Sequence, residues 1–329
     1  MRVLVTGGAG YIGSVMTDAL LQSGHRVVVF DNLSRGYRDA VAADAAFIEG
    51  DLLDTARVVT ALREERIDAV IHMAGAALVG ESMEDPGKYY RTNVVAGLSL
   101  LDAMHEAGVR TIVFSSSCAV YGTPERVPID ESTPKRPVNP YGESKLAFER
   151  VLAWFHAAHG FRAASLRYFN AAGASGRSGE RHNPETHLIP LVLDVAAGNR
   201  ERVTIFGDDY PTRDGTCVRD YVHVLDLADA HILAIEALKP AEPRNVAYNL
   251  GCGGEGHSIR EVVDCARQVT GKKFDALVGP RRAGDPPVLV ASSEKATREL
   301  GWRPTRQSLE EIIGSAWEWM GRRKLETRN

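Results

Sequence analysis

Short runs of branched apolar residues recur along the first half of the chain, each bounded by glycine or a polar cluster. They are RVLVT at 2–6, RVVVF at 26–30, AFIEG at 46–50, AVIHMA at 69–74, TIVFSS at 111–116 and ASLRYF at 164–169. Unbroken apolar runs of this length suit strands buried on both faces. Between them lie stretches such as TARVVTALREE and VVAGLSLLDAMHEAG, whose apolar positions recur at helical spacing. This alternation predicts an α/β, doubly wound (Rossmann-type) parallel sheet with helices on both faces. After Phe169 the rhythm breaks into a Gly-, Ser- and Asn-rich stretch over 170–184, and Pro and Gly become denser. The expected division is a doubly wound domain over 1–169 and a smaller α+β cap over 170–329, some of whose segments pack back on the first.

Composition narrows the partners. The 329 residues include 39 Lys and Arg against 43 Asp and Glu, a net charge of −4, and no basic block stands out. Nucleic acid is therefore not an expected partner. No run approaches the ~18 apolar residues of a membrane span, and the opening MRVLVTGGAGYIG is too briefly apolar for a secretory signal. The cysteines Cys118, Cys217, Cys252 and Cys265 show neither metal-type nor paired spacing and fit a reducing cytoplasm. His182 and His187 bound the loop HNPETH, and with no second ligand cluster a metal-free loop is expected.

The first strand ends in TGGAGYIG, with Gly7, Gly10 and Gly13 at the turn and first helical turn. There, backbone N–H groups and the helix dipole can meet a pyrophosphate. Tight strand–helix packing is the other use of such glycines. Asp31 closes the second strand, where a carboxylate hydrogen-bonds an adenosine ribose and repels a 2′-phosphate. NAD rather than NADP is the expected cofactor, although Arg35 and Arg38 stand near enough in sequence to meet a 2′-phosphate.

Residues 139–145 read NPYGESK, with Pro140 at a position where a helix can start. Tyr141 and Lys145 then share one helix face, their Cβ atoms roughly 5–6 Å apart. A phenol of ordinary pKa near about 10 is a poor base at neutral pH. A fixed cation beside it favours the phenolate. The pair is either such a base or two surface side chains.

GxxGxxG combined with Tyr-x-x-x-Lys resembles the extended short-chain dehydrogenase/reductase family. Further motifs occur in order across both domains: DNLSRG (31–36), HMAGAALVGESM (72–83), FSSSCAVYG (114–122), LRYFNAAG (166–173), FGDDYPTRDGTCVRDYVHVLDLA (206–228) and RRAGDPP (281–287). Together they resemble the UDP-glucose 4-epimerases of that family over nearly the whole chain. The resemblance implies an isomerase that uses tightly bound NAD to invert C4 of UDP-glucose or UDP-galactose through a transient 4-keto sugar. It makes Tyr141 the general base, with Ser117 beside it at the sugar's 4-hydroxyl. Lys145 holds the nicotinamide ribose and lowers the Tyr141 pKa. Taken alone, Ser117 also reads as a serine capping a turn at a strand end.

The same resemblance places Gly7, Gly10, Tyr11, Ile12 and Gly13 at the pyrophosphate, Asp31 at the ribose, Asn32 on the cofactor, and Asp51 with Leu52 at the adenine. Met73, Ala74, Gly75, Asn93 and Phe169 line the rest of the cofactor. The UDP-sugar would meet Asn170, His187, Leu188, Phe206, Arg219, Arg282 and Asp285. Arg219 and Arg282 are chemically apt as forked donors to a diphosphate, and Asp285 as an acceptor for ribose hydroxyls. Each has an ordinary alternative, Phe206 as core and the arginines as surface charge. Leu289 falls where side-chain size limits room around the sugar's 2-substituent, unless it packs inside the cap. Some members carry Lys where this chain has Ala77, which puts a cofactor contact there in doubt. Related dehydratases and decarboxylases place a carboxylate between the Ser and the Tyr-Gly; Cys118-Ala119-Val120 offers none. N-acetylhexosamine and pentose nucleotides remain alternative substrates, and a reductase that releases its product is a weaker one. A homodimer built from helices of the first domain is expected.

Overall fold

The computed structural model describes residues 1–239, 244–282 and 285–326. Ala283 and Gly284, within the RRAGDPP motif, lie outside the described residues. Seven parallel strands form the central sheet: β1 (Arg2–Thr6), β2 (Arg26–Asp31), β3 (Ala46–Glu49), β4 (Ala69–His72), β5 (Thr111–Ser117), β6 (Arg162–Tyr168) and β7 (Asn245–Leu250). Their order across the sheet is β7-β6-β5-β4-β1-β2-β3.

The side-chain period of two divides each strand between two cores. Val3, Val5, Val27, Val29, Ala69, Ile71 and Val113 face one core. Leu4, Val28, Phe30, Val70, Ile112 and Phe114 face the other. The first core is covered by α1 (Tyr11–Gln22), through Val15, Met16 and Leu20. The second is covered by α2 (Thr55–Glu64), α3 (Ala96–Ala107) and α4 (Pro140–His159), through residues such as Leu62, Leu100 and Leu152. Both faces are buried, which is why the strands read as continuous apolar runs rather than alternating ones.

Chain order does not follow this architecture throughout. After residue 169 the chain returns to the first core as α5 (Val224–Ala237) and then to the sheet as β7, paired in parallel with β6 from Asn245↔Ala163 to Leu250↔Tyr168. The rest of the second half builds its own core from helices Leu188–Ala196, Ile259–Thr270 and Leu309–Glu326, around Val192, Val262 and Ile312. Short strands stitch it together: Val203–Phe206 with Ala276–Gly279, and Val218–Arg219 between His257–Ser258 and Val288–Leu289. Strand order reverses between β1 and β4, so a crevice opens at the carboxyl ends of these strands.

Candidate active site

The crevice begins where glycines remove side chains from a crowded junction. Gly7 leaves β1 with φ +74°, and a Cβ on it would stand 2.6 Å from the Ala74 nitrogen. A Cβ on Gly13 would meet the Gly7 carbonyl at 2.1 Å. Gly10 is the N-cap of α1, with no side-chain cap and no acidic residue in the first turn. The amide groups at this helix end therefore face the crevice without a competing anion, a setting that suits a phosphate.

Tyr11 and Ile12 open α1. The Tyr11 hydroxyl donates to the Gly173 carbonyl at 2.5 Å, so its side chain ties the glycine loop to the second half of the molecule. Asp31 is buried at the end of β2 and accepts from the amides of Ala9 (3.0 Å) and Leu33 (2.8 Å). Burial raises its carboxyl pKa, and those two bonds oppose the shift. Asn32 donates to Asp51 at 2.9 Å, beside the buried Leu52. Met73, Ala74 and Gly75 follow β4 along the same edge, with Gly75 exposed. The uncapped start of α1 and the buried carboxylate of Asp31 on one edge fit a dinucleotide. Arg35 is engaged elsewhere, donating to the Asn183 carbonyl at 2.6 Å and pairing with Glu81 at 3.0 Å. Arg38 stacks over Phe47 at 4.4 Å. Both arginines are committed to protein groups, which favours NAD over NADP.

Every position of NPYGESK except Glu143 has a structural task. Asn139 caps α4, accepting from the Gly142 amide at 2.8 Å, and Pro140 opens the helix. A Cβ on Gly142 would meet the Ala119 carbonyl at 2.4 Å, so only glycine lets the first turn of α4 lie against the turn that follows β5. That approach brings Tyr141 to Ser117. The Ser144 hydroxyl donates to the Tyr141 carbonyl and accepts from Asn93 at 2.9 Å. Asn93, buried in a single π-turn over Arg91–Val95, also accepts from the Ala76 amide at 2.8 Å. The Lys145 ammonium donates to the Ser115 carbonyl at 2.9 Å and lies 5.9 Å from the centre of the Tyr141 ring.

Ser117 caps the turn, as a serine at a strand end can, and also stands beside Tyr141. Its hydroxyl accepts from the Ala119 amide at 3.2 Å, capping the turn Cys118–Tyr121, and it hydrogen-bonds Tyr141. The titration of the pair differs from the sequence expectation. Burial pushes the Tyr141 phenol up to about 12, and the Ser117 bond offsets only part of that. Burial likewise pushes Lys145 down to about 8. The protein's own groups therefore hold Tyr141 protonated at neutral pH, since Lys145 is aimed at a carbonyl rather than at the phenol. Cys118, pushed up to about 12 by burial, stays a thiol and is no nucleophile.

The remaining candidates lie on five segments. Phe169 is buried with Val120, Tyr121, Ile129, Leu146 and Ala291, and Leu289 and Cys118 pack against this cluster half-buried. Leu289 thus sits beside the turn that carries Ser117. Asn170 donates to the Asp220 carbonyl at 2.8 Å. Arg219 lies 3.7 Å from Asp285 and pairs in strand register with Leu289. Arg282 stacks its guanidinium over the exposed Phe206 ring at 4.1 Å. Phe206 is therefore a surface platform and not core. His187 occupies the N-cap position of the helix that starts at Leu188 without a side-chain cap bond, and its ring faces Glu180 at 2.7 Å.

Sequence reasoning passed over several residues that hold these in place. Asp220 is buried and accepts from the amides of Cys252 (2.7 Å), Gly253 (3.0 Å) and Ala291 (3.1 Å), fixing the floor beside Arg219. Its neighbour in VRDYVH was singled out, but nothing local distinguishes a ligand-facing charge from a buried one. Glu149 accepts from Ser116 at 2.6 Å and pairs with the buried Arg167 at 2.5 Å, beneath the Lys145 turn. Its i+4 spacing from Lys145 was the available signal. Glu180 and Glu185, beside and inside HNPETH respectively, escaped notice as partners of the two histidines.

A doubly wound sheet, an uncapped glycine turn at its switch point and a Tyr–Lys–Ser group at the next strand end define a dinucleotide-dependent enzyme of the nucleotide-binding α/β class. A family model described as the NAD dependent epimerase/dehydratase family matches residues 3–251, and the chain belongs to that family. It is 53% identical to a UDP-glucose 4-epimerase from Corynebacterium glutamicum over 317 residues, covering 96% of this chain and 95% of that one. The fold is similar to the crystal structure of UDP-glucose 4-epimerase from Brucella ovis in complex with NAD, with a TM-score of 0.94, 49% identity and coverage of 97% and 98% of the two chains. The enzyme of the same description from Bifidobacterium longum, in complex with NAD+ and UDP, gives a TM-score of 0.92 at 38% identity, with coverage of 98% and 99%.

Proposed function

We propose that this protein is an NAD-dependent isomerase that interconverts UDP-glucose and UDP-galactose by inverting C4 through a transient 4-keto sugar. The observation that carries it is the placing of Ser117, Tyr141 and Lys145 together at the carboxyl end of β5, beside the glycine crevice. Gly7, Gly10, Gly13, Asp31 and Asn32 would hold the dinucleotide along that edge. NAD, when bound, supplies a reversible hydride acceptor for C4 and a positive charge. Tyr141 takes the proton from the 4-hydroxyl and returns it, with Ser117 holding the same oxygen through its hydrogen bond. Lys145 would help hold the nicotinamide ribose when NAD is bound, and would keep a cation near the forming phenolate. Arg219, Arg282 and Asp285 grip the UDP, with Phe206 as a flat surface beside Arg282. The turn Cys118–Tyr121 carries no acid to expel a second hydroxyl, so the keto sugar is returned rather than dehydrated.

In this reading, residues 1–169 with the returning α5 and β7 carry the cofactor, and the rest of 170–329 covers the nucleotide sugar. The four cysteines are free, in keeping with a reducing cytoplasm. Among the described residues no helix is long and apolar enough to cross a membrane. Two copies associate through α3 and α4, where Leu98 is 39% and Trp154 75% exposed. Trp154→Glu should then convert a dimer to a monomer in light-scattering chromatography.

The decisive experiment is to purify the protein without added cofactor and assay UDP-galactose. Turnover without added NAD, with NAD released on acid denaturation, is the expected result. A cofactor-free protein that consumes NADH one-for-one with sugar would instead be a reductase.

A further inference from the structure

The segment Glu180–His187 carries two carboxylates and two imidazoles, and three of these four side chains have no part in the reaction above. Their potential ligand atoms all lie within 4.8 Å of one another. We propose that Glu180, His182, Glu185 and His187 form a zinc site that clasps this segment between the two halves of the molecule. The geometry is built rather than incidental. The Glu180 and Glu185 side chains are only 8% and 12% exposed, unlike the solvated acids that cluster at protein surfaces. Both rings turn Nδ1 inward: His182 stands 2.9 Å and His187 2.7 Å from the same Glu180 oxygen. The His187 Nδ1 is also 2.9 Å from Glu185.

One ring proton cannot serve two carboxylates well, and one oxygen receives both rings. A cation at the centre satisfies all four groups at once. Zn–N and Zn–O bonds of about 2.0–2.2 Å in a tetrahedron separate ligand atoms by roughly 3.4 Å. The imidazole–carboxylate separations here, from 2.7 to 4.0 Å, bracket that distance, and all four ligand atoms fall within 4.8 Å of one another. Two neutral imidazoles and two carboxylates carry the charge that balances one divalent ion. The mixed nitrogen and oxygen set selects zinc over magnesium or calcium, which prefer oxygen alone. Glu185 is held in place independently, because its carboxylate accepts from the amides of Thr186 (2.7 Å) and His187 (2.8 Å). Such supporting bonds orient a metal ligand.

The position gives the site its role. Arg35 donates to the Asn183 carbonyl at 2.6 Å and Tyr37 to the Arg181 carbonyl at 3.1 Å, so the loop rests on the first domain. The Tyr11 ring meets His182 edge-on at 6.4 Å. At its other end the segment runs directly into the helix Leu188–Ala196 of the second core. Metal here would brace the join between the glycine loop and the cap.

The test uses tag-free, NAD-loaded protein, dialysed against chelator and titrated with Zn2+ alone by calorimetry, with thermal unfolding followed at each step. One equivalent per chain and a rise in melting temperature are expected. Co2+ in its place should show tetrahedral d–d absorption without a thiolate charge-transfer band, which excludes the cysteines as ligands. Glu180→Gln should weaken zinc binding by about 100-fold or more, since losing a direct ligand exceeds the 10–100-fold typical of supporting residues. Should Glu180→Gln fail to fold, Glu185→Gln and His182→Asn carry the same expectation. No zinc binding by the folded parent overturns the proposal. So does binding that survives unchanged in every folded variant, because the ion then lies elsewhere.

Discussion

The Lys145 ammonium is buried, 5% exposed, and among the described residues donates to a single protein oxygen, the Ser115 carbonyl at 2.9 Å. A cation so poorly solvated is held for its use and at a cost to folding. Its pKa falls from 10.5 in the open chain to about 8 in the fold, a shift corresponding to roughly 3 kcal/mol. The sign follows from proton uptake. Between these two values the unfolded chain binds the proton more tightly, so stability rises with pH from about 8 to 10.5, and below 8 the full penalty applies. Lys145→Met should therefore stabilise the nucleotide-stripped protein by about 1–3 kcal/mol at pH 7 while lowering turnover at that pH. Urea unfolding of both proteins at pH 7 and pH 10 checks this, with the gain shrinking at the higher pH.

Tyr141→Phe should lower kcat by at least ~10² and leave UDP affinity nearly intact, because it removes proton transfer and little binding. Folding should be undisturbed, since the phenol's partner Ser117 keeps its bond to the Ala119 amide. Near-full turnover in this variant would end the acid–base assignment. Lys145→Ala should move the rise of activity to higher pH, because the phenolate loses its nearby cation.

Asp220→Asn should destabilise the fold by about 1–3 kcal/mol, the cost of leaving buried donors unpaired. One carboxylate oxygen accepts from Cys252, and the other from both Gly253 and Ala291. An amide offers a single acceptor oxygen, so at least one of these N–H groups would face another donor. Arg219 is the adjacent residue, and the variant should also raise KM for UDP-sugars more than it lowers kcat.

Leu289 packs beside Cys118 and Phe169, next to the Ser117 turn, and so borders the space a sugar would occupy. Leu289→Ser should raise kcat/KM for UDP-N-acetylglucosamine relative to UDP-glucose. One side chain's worth of room is worth about 1–3 kcal/mol, so the ratio should change by tens of fold rather than switch outright. An unchanged ratio in a well-folded variant would place sugar choice elsewhere in the cap.

The sequence by itself determined what depends on neighbours along the chain. The inner strands among β1 to β6 were legible because burial on both faces demands unbroken apolar runs, whereas the edge strand β3 is only partly buried. The Tyr141–Lys145 pair was legible because helical spacing and an Asn-Pro start fix one face. The glycine turn could be read because a left-handed Gly7 and a missing Cβ at Gly13 leave few other residues possible. Tertiary structure decided what depends on segments far apart. That α5 and β7 return to the first core follows from the free edge of β6, a property of the assembled sheet and not of residues 224–250. Whether Arg35, Arg38 or Arg282 is free or stacked was settled by Asn183, Phe47 and Phe206, none of them a sequence neighbour. The titration of Tyr141 and Lys145 was decided the same way. Desolvation by the whole surrounding fold outweighs one cation four residues away, and no local spacing encodes how deeply a side chain will be buried.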